Sequence, residues 1–362
     1  MVVETEMGLK MALLYGGQSG EHEVSVMSAT SVVQAIRGKM EVVPIGITKE
    51  GRWIPGLSPE ILAQQGQWMV TGEELPEDSR IVQNPTGFLL GSLRTQVDLV
   101  FPLLHGPMGE DGTIQGLLEL AGIPDIGGGV AASAVGMDKE MMKALFKQHA
   151  LPIGDYLVYR RYEWESAPEK VRKEIEERLG YPCFVKPANL GSSVGISKAH
   201  NRAELDAAFN LALTYDRKVV VEAFLDGREV ECGVLGNDQP EASVPGEIVP
   251  GAEFYSYEDK YIKNDSQLII PARLTDAQRA KVQELAVRAF KAIDCAGMGR
   301  VDFFVLNRDG QIVVNEINTI PGFTKISMYP KLWAATGLPY PELIQRLAGL
   351  ALERFRDRRR AG

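Results

Sequence analysis

Short apolar runs closed by glycine or proline alternate along this chain with longer stretches in which apolar residues recur every third or fourth position. Met11-Ala-Leu-Leu-Tyr15 reads as a buried strand, Gly16-Gly17-Gln18-Ser19-Gly20 as a tight loop, and Val24 to Ile36 as a helix. That order belongs to an open α/β domain, with a ligand site at the strand's C-terminal end. A second strand, Val97-Asp-Leu-Val-Phe101, runs into Pro102-Leu-Leu-His105-Gly106, and Gly127-Gly128-Gly129 breaks the pattern further on. Between Trp53 and Phe88 the chain is rich in Gly, Pro and Glu, which predicts an irregular surface excursion.

Cys183-Phe-Val-Lys186 is a strand entering Pro187-Ala-Asn-Leu-Gly191-Ser192-Ser193-Val194-Gly195, followed by a helix over 203–215 and the strand Lys218-Val-Val-Val-Glu222. From Pro245 to Pro271 no periodicity persists, yet Tyr255, Tyr257, Lys260, Tyr261 and Lys263 crowd the segment, which suits a lid. Asp276 to Ile293 carries Val282, Leu285, Ala286, Ala289, Phe290 and Ile293 on one helical stripe. Two strand patterns, Arg300 to Leu306 and Gln311 to Ile317, then flank Asn307-Arg-Asp-Gly310, a β-hairpin signal.

A chain of 362 residues exceeds one ordinary core, so two or three domains are expected. The breaks place them at 1–127, 128–222 and 223–362. Apolar residues make up 45% and charged residues 24%, which suits a folded enzyme or binding protein. The net charge of −9 opposes nucleic-acid binding, and the basic run Arg354 to Arg360 reads as a solvated helix end. Three scattered cysteines fit neither a disulfide framework nor a zinc site. Glu4 and Glu6 stand where a secretory signal needs cations, and no run approaches the ~20 apolar residues of a membrane span, so a cytoplasmic location is expected.

The hairpin carries the most chemistry. With Arg308-Asp309-Gly310 as a three-residue loop, Asn307 faces Gln311, Asp302 faces Glu316 and Arg300 faces Asn318, all on one sheet face. Two facing carboxylates with an amide suit Mg²⁺; solvated polar residues on an open face would give the same spacing. Lys186 ahead of Gly191-Ser-Ser-Val-Gly195 could direct an ammonium and backbone N–H groups at phosphate, or simply precede a glycine-rich turn. His105-Gly106-Pro107-Met108-Gly109-Glu110-Asp111-Gly112 is a charged loop between apolar segments, read as a site or as a hydrogen-bonded structural turn. Glu21-His22-Glu23 at a helix start fits a substrate contact or plain capping.

Together, Gly16-Gly17 through Glu21-His-Glu-Val-Ser25, His105-Gly106 through Glu110-Asp-Gly112, Met137-Asp-Lys139, Lys186 with Gly191-Ser-Ser-Val-Gly195, Gly299-Arg-Val-Asp302, and Asn315-Glu-Ile-Asn318 to Pro321-Gly322 resemble the D-alanine:D-alanine ligase family of the ATP-grasp superfamily, in order over nearly the whole chain. The resemblance implies an α/β (α+β) fold of three domains, an N-terminal open α/β domain and two ATP-grasp domains with ATP between them. It implies ligation of two D-alanine molecules through a D-alanyl phosphate, for peptidoglycan precursors, without adenylation.

By the same resemblance Lys139, Lys186, Ser193 and Lys260 look like phosphate contacts, and Glu222 and Glu229 like adenine and ribose ligands. Asp302, Glu316 and Asn318 look like ligands of two Mg²⁺ ions, or Mn²⁺ in their place. Glu21 and His105 fall at the first D-alanine, Ser327 and Met328 at the second. Arg300 and the Gly322 N–H are implied as oxyanion donors, and Glu21, Ser192 and Tyr261 as a hydrogen-bonded closure. Tyr261 favours the dipeptide over the D-alanine:D-lactate ester, whose makers often carry phenylalanine there. Ala223 departs from a lysine common in relatives. A D-serine or D-lactate ligase and a silent nucleotide-binding protein are the alternatives, and a homodimer is implied by resemblance alone.

Overall fold

Lys10–Gly16 (β1) is buried along nearly its whole length, because parallel neighbours flank it on both edges. The computed structural model describes residues 8–56, 85–249 and 267–360. Glu41–Ile47 (β2), Trp53–Pro55 (β3) and Leu99–Pro102 (β4) complete the first sheet in the order β3-β2-β1-β4. The helix His22–Ile36 packs on it through Val26, Ala29, Val32, Val33 and Ile36. Trp53 corrects the expected irregular excursion: it pairs antiparallel with Ile47 and is buried, so the sheet extends one strand further.

The second sheet is wholly antiparallel, with Tyr156–Arg160 (β5), Cys183–Pro187 (β6), Ser197–Ala199 (β7) and Lys218–Ala223 (β8) in the order β5-β8-β6-β7. The helices Pro168–Arg178 and Arg202–Tyr215 cover one face through Val171, Ile175, Leu205 and Phe209. The third sheet contains Gly227–Gly236 (β9), Glu241–Ala242 (β10), Gly246–Val249 (β11), Gln267–Ile269 (β12), Gly297–Leu306 (β13) and Ile312–Asn318 (β14). Its main path runs β12-β11-β9-β13-β14.

In β13, Val301, Phe303 and Val305 point into a core with Val282, Leu285 and Phe290 of the helix Asp276–Ala292. Strand alternation therefore turns Arg300, Asp302 and Phe304 to the other face, where all three are half-buried. The expected lid is narrower than its sequence limits, since β11 and β12 pair at its ends. Tyr255, Tyr257, Lys260, Tyr261 and Lys263 lie outside the described residues.

The basic C-terminal run belongs to the helix Tyr340–Arg360 and is more than a solvated end. Arg354 is inserted against the segment that follows the helix Thr113–Ala121, donating to the carbonyl of Asp125 and to its carboxylate, each at 2.9 Å, and also to the carbonyl of Gly127. Arg358 pairs with Glu119 at 2.8 Å. The three cysteines are free and buried, and burial raises their thiols, Cys183 to about 11 and the other two to about 12. Among the described residues no helix is long and apolar enough to cross a membrane.

Candidate active site

The strand ends and loops of all three sheets converge on one cleft, lined from the first sheet's side by Glu21, His105 and Glu110. Gly16 begins the first loop with φ +90°, and a Cβ there would lie 2.2 Å from the Ile47 carbonyl, so only glycine permits the close β1–β2 approach. The following turn delivers Glu21 at the helix start, where it makes no side-chain capping bond. Capping is thus not what its carboxylate does. It accepts a short hydrogen bond from Ser192 of the glycine-serine loop, across 171 residues of sequence.

Ser192 and Ser193 both adopt left-handed backbone, φ +48° and +61°. Such strain in consecutive non-glycine residues persists only where the surroundings hold it, and it is concentrated at functional sites. Gly191 lies bare over the acids: a Cβ there would sit 3.2 Å from Glu21 and 3.6 Å from Glu110. Glu110 accepts the Gly106 N–H at 2.9 Å. Burial, and then repulsion from Glu21, raise its carboxyl to about 8, so it holds a proton at neutral pH. The His105 imidazole is buried, and that burial lowers its basicity despite the nearby Glu21 anion.

A second group of charges lies where β6 and β8 end. Lys186 donates to one oxygen of Glu222 at 2.8 Å, and Lys143 approaches the other at 3.2 Å. Burial would raise the Glu222 carboxyl, but the two ammonium groups outweigh it and hold it down at about 2. Lys186 is raised despite burial, whereas burial prevails at Lys143 and lowers it. The two ends of the Lys143–Glu222 contact thus point opposite ways. Two cations share one anion and repel each other, so the favourable energy is assigned to the carboxylate, which is paired on both oxygens. Lys139, at the start of the helix Lys139–Gln148, reaches over to the Leu190 carbonyl at 2.6 Å.

The hairpin supplies the third group. Arg300 pairs with Asn318 and Asp302 with Glu316 in the ladder, as the alternation predicts, but the route differs. The loop has four residues rather than three, since Leu306 N–H bonds to the Gln311 carbonyl, and Asn307 is drawn away to Asp226. One extra residue, Asn315, bulges between Val314 and Glu316 and restores the expected facing pairs. Lys143 donates to the bulge carbonyl at 3.3 Å. Arg300 grips Asp302 in a fork, both contacts 2.7 Å, and Asn318 donates to Asp302 at 3.0 Å. Glu231 of β9, opposite Asp302 in register, lies 3.0 Å from Arg300 Nε.

Gly322 and Ser327 close the far end. A Cβ at Gly322 would meet Ser327 Oγ at 2.8 Å, and Ser327 stands at the N-cap of the helix Met328–Ala335 without a side-chain capping bond. Free backbone N–H groups at a helix start suit a carboxylate. The turn is fixed to the helix His22–Ile36 by Ser28, which accepts the Phe323 N–H at 3.3 Å.

Residues 10–128 match the family described as D-ala D-ala ligase N-terminus, and 145–349 match D-ala D-ala ligase C-terminus. The chain belongs to the D-alanine:D-alanine ligase family. It is 53% identical to a D-alanine–D-alanine ligase of Heliobacterium modesticaldum, covering 97% of this chain and 96% of the other. Identity to the ligase of Ruminiclostridium cellulolyticum is 50%, with 97% of each covered. Among solved structures, the Coxiella burnetii D-alanine-D-alanine ligase superposes with TM-score 0.86 at 36% identity, covering 98% and 97% of the two chains. The VanG D-Ala:D-Ser ligase of Enterococcus faecalis gives 0.79 at 37%, covering 95% and 99%. The chain is therefore a ligase of ATP-grasp fold, in a family that uses ATP with a divalent metal.

Of the residues named from sequence, Glu21, His105, Lys139, Lys186, Ser192, Ser193, Glu222, Glu229, Arg300, Asp302, Glu316, Asn318, Gly322, Ser327 and Met328 all line this cleft. Tyr261 and Lys260 lie outside the described residues. Sequence reasoning missed Lys143 and Glu231. Each had a signal in spacing: Lys143 follows Lys139 by one helical turn, and Glu231 follows Glu229 by one strand repeat.

The donor set fits a nucleotide-borne divalent cation. Among the described residues no three His, Cys, Asp or Glu groups could hold a metal alone. Asp302 and Glu316 with the Asn318 amide offer hard oxygens but too few for a closed shell, which is how Mg²⁺ is held when phosphates complete its coordination.

Proposed function

We propose that this ligase joins two D-alanine molecules into D-alanyl-D-alanine through a D-alanyl phosphate, with the cleft residues in the following roles. ATP-dependent D-alanine ligation for peptidoglycan precursors is the activity of its family. Glu21 holds the first substrate's ammonium, with His105 beside it. Lys139, Lys186, Ser193 and Lys260 hold phosphate oxygens, while Glu222 and Glu229 meet adenine and ribose.

The first D-alanine's carboxylate attacks the γ-phosphorus, ADP leaves, and a mixed anhydride results. Lysines at the transferring group neutralise developing charge, and alignment supplies much of the rate. Asp302, Glu316 and Asn318 would hold two Mg²⁺ ions, which when bound supply further charge neutralisation at the phosphates. The second D-alanine, its carboxylate on Ser327 Oγ and the Met328 N–H, then presents its amine to the acyl carbon. Arg300 and the Gly322 N–H stabilise the tetrahedral oxyanion, and phosphate departs as the amide forms. Tyr261 joins Glu21 and Ser192 in closing the site. A cytoplasmic homodimer with domains bounded near residues 127 and 222 completes the reading.

The observation that carries this reading is the Ser192–Glu21 contact, which links the first domain's acid to the glycine-serine loop directly beside the Arg300–Asp302 hairpin. An ATP-dependent phosphate-release assay with D-alanine, D-serine and D-lactate, with product mass measured, tests it. D-alanine alone is expected to support release and to give the dipeptide. A requirement for D-lactate or D-serine at the second site would overturn the substrate assignment.

A further inference from the structure

Glu231 has no part in the roles above, yet it is buried at the centre of the charged face. It stands mid-strand in β9, with Asp302 opposite on β13 and Gly246, which brings no side chain, opposite on β11. Its Oε2 lies 3.0 Å from Arg300 Nε. That N–H is aimed at Asp302, 2.7 Å away, so Glu231 Oε2 meets Arg300 Nε as an ion pair out of line rather than an aligned hydrogen bond.

One guanidinium is thus set between two carboxylates, with its fork on Asp302. Asp302 receives two bonds from Arg300 and one from Asn318, which uses three of the roughly four lone-pair directions of a carboxylate. A divalent cation at Asp302 needs oxygen electrons that Arg300 occupies. If the fork opens, a half-buried guanidinium is left needing another anion, since a charge partly withdrawn from water is disfavoured without a partner. Glu231 is already in contact.

We propose that Glu231 is a positioning residue for Arg300: it takes the guanidinium over when Asp302 turns to the nucleotide's divalent cation. The hand-over keeps Arg300 beside the reacting carbonyl while releasing Asp302, so one cation does not compete with the other for the same acid. The inference rests on the roles proposed for Arg300 and Asp302.

The test is Mn²⁺ binding to the enzyme–ADP complex, read by the loss of free Mn²⁺ EPR signal, alongside steady-state kinetics. Glu231→Gln keeps the shape and loses the charge, so Arg300 stays on Asp302; Mn²⁺ affinity and kcat are each expected to fall ~10- to 100-fold, the usual effect of losing a group that orients a ligand. The KM for the first D-alanine should change by less than about 3-fold, because Glu21 is untouched, and Glu231→Asp should recover part of both losses. The deciding variant is Glu231→Gln with Arg300→Ala, which removes the competitor and should return Mn²⁺ affinity to the wild-type level. Unchanged Mn²⁺ affinity in Glu231→Gln overturns the proposal. So does an equal loss with and without Arg300, which would make Glu231 act on the metal directly. Asp302→Asn with wild-type Mn²⁺ binding would instead overturn the metal role of Asp302, and the hand-over with it.

Discussion

Replacing Glu222 with glutamine removes the one anion shared by Lys143 and Lys186 while keeping its shape. Two buried ammonium groups then face each other with only the outlying acids Glu316 and Glu229 to offset their repulsion. The carboxyl is held down from 4.5 to about 2. At 1.36 kcal/mol per unit that corresponds to about 3 kcal/mol, consistent with the ~3–5 kcal/mol typical for breaking a buried ion pair. At ~2–4 °C per kcal/mol, the melting temperature should drop by roughly 10 °C.

The pH dependence gives the sharper check. In the wild type the depressed carboxyl contributes stability that is present above its unfolded value near 4.5 and is lost as pH falls toward 2. In Glu222→Gln the lysines become depressed bases: the unfolded chain binds more protons than the folded one, so stability rises with pH. The deficit should therefore be largest at pH 6–7 and shrink toward pH 9. Differential scanning calorimetry of both proteins across that range measures it. A deficit under ~1 kcal/mol, or one equal at pH 7 and 9, would refute the assignment of Glu222 as the shared counter-ion. Adding Lys143→Met should restore much of the loss by removing the surplus cation.

Arg300→Ala should lower turnover by at least ~100-fold, the usual cost of an oxyanion donor, with ATP binding little altered by calorimetric titration. Glu110, raised from 4.5 to about 8, contributes stability that is complete below its unfolded value and is lost as pH rises to 8; its limiting slope is ~1.4 kcal/mol per unit, and Glu110→Gln should flatten the pH dependence of melting between pH 5 and 8. Arg354→Ala strands the buried Asp125 carboxylate and should cost ~3–5 kcal/mol in chemical denaturation, with Asp125→Asn in the same chain recovering part of it.

The elements that were legible in the sequence are those whose burial follows one period. The helix Asp276–Ala292 and strand β13 each bury the residues that their spacing marks. The hairpin shows where such reading can arrive correctly by an incomplete route. A three-residue loop and no bulge place Asp302 against Glu316; a four-residue loop and the bulge at Asn315 place it there as well. Neither the diversion of Asn307 to Asp226 nor the Lys143 bond to the bulge carbonyl has a local signature, since each depends on a residue distant in sequence. Glu21 was ambiguous for the same reason. An acid at a helix start looks like a cap until Ser192 is seen to occupy it.

The missed residues share a property with the ones that were found. Lys186, Glu222 and Asn318 lie at or beside strand ends, Arg300, Asp302 and Glu231 on one face of adjacent strands, and Lys139 and Lys143 on successive turns of one helix. Rigid elements therefore set most of the phosphate- and metal-facing charges described in the cleft, which is what electrostatic pre-organisation requires. Glu21, Glu110, Asp226 and Arg273 are loop-borne instead, and Glu21 is joined to the loop-borne Ser192. Charge placement by sheets and helices confines the adjustment on nucleotide binding to side chains such as Arg300, with the backbone that carries the charges already in place. The Glu21–Ser192 contact differs in kind: it joins two loops and carries left-handed backbone on the serine side, the sort of strain that persists at functional sites.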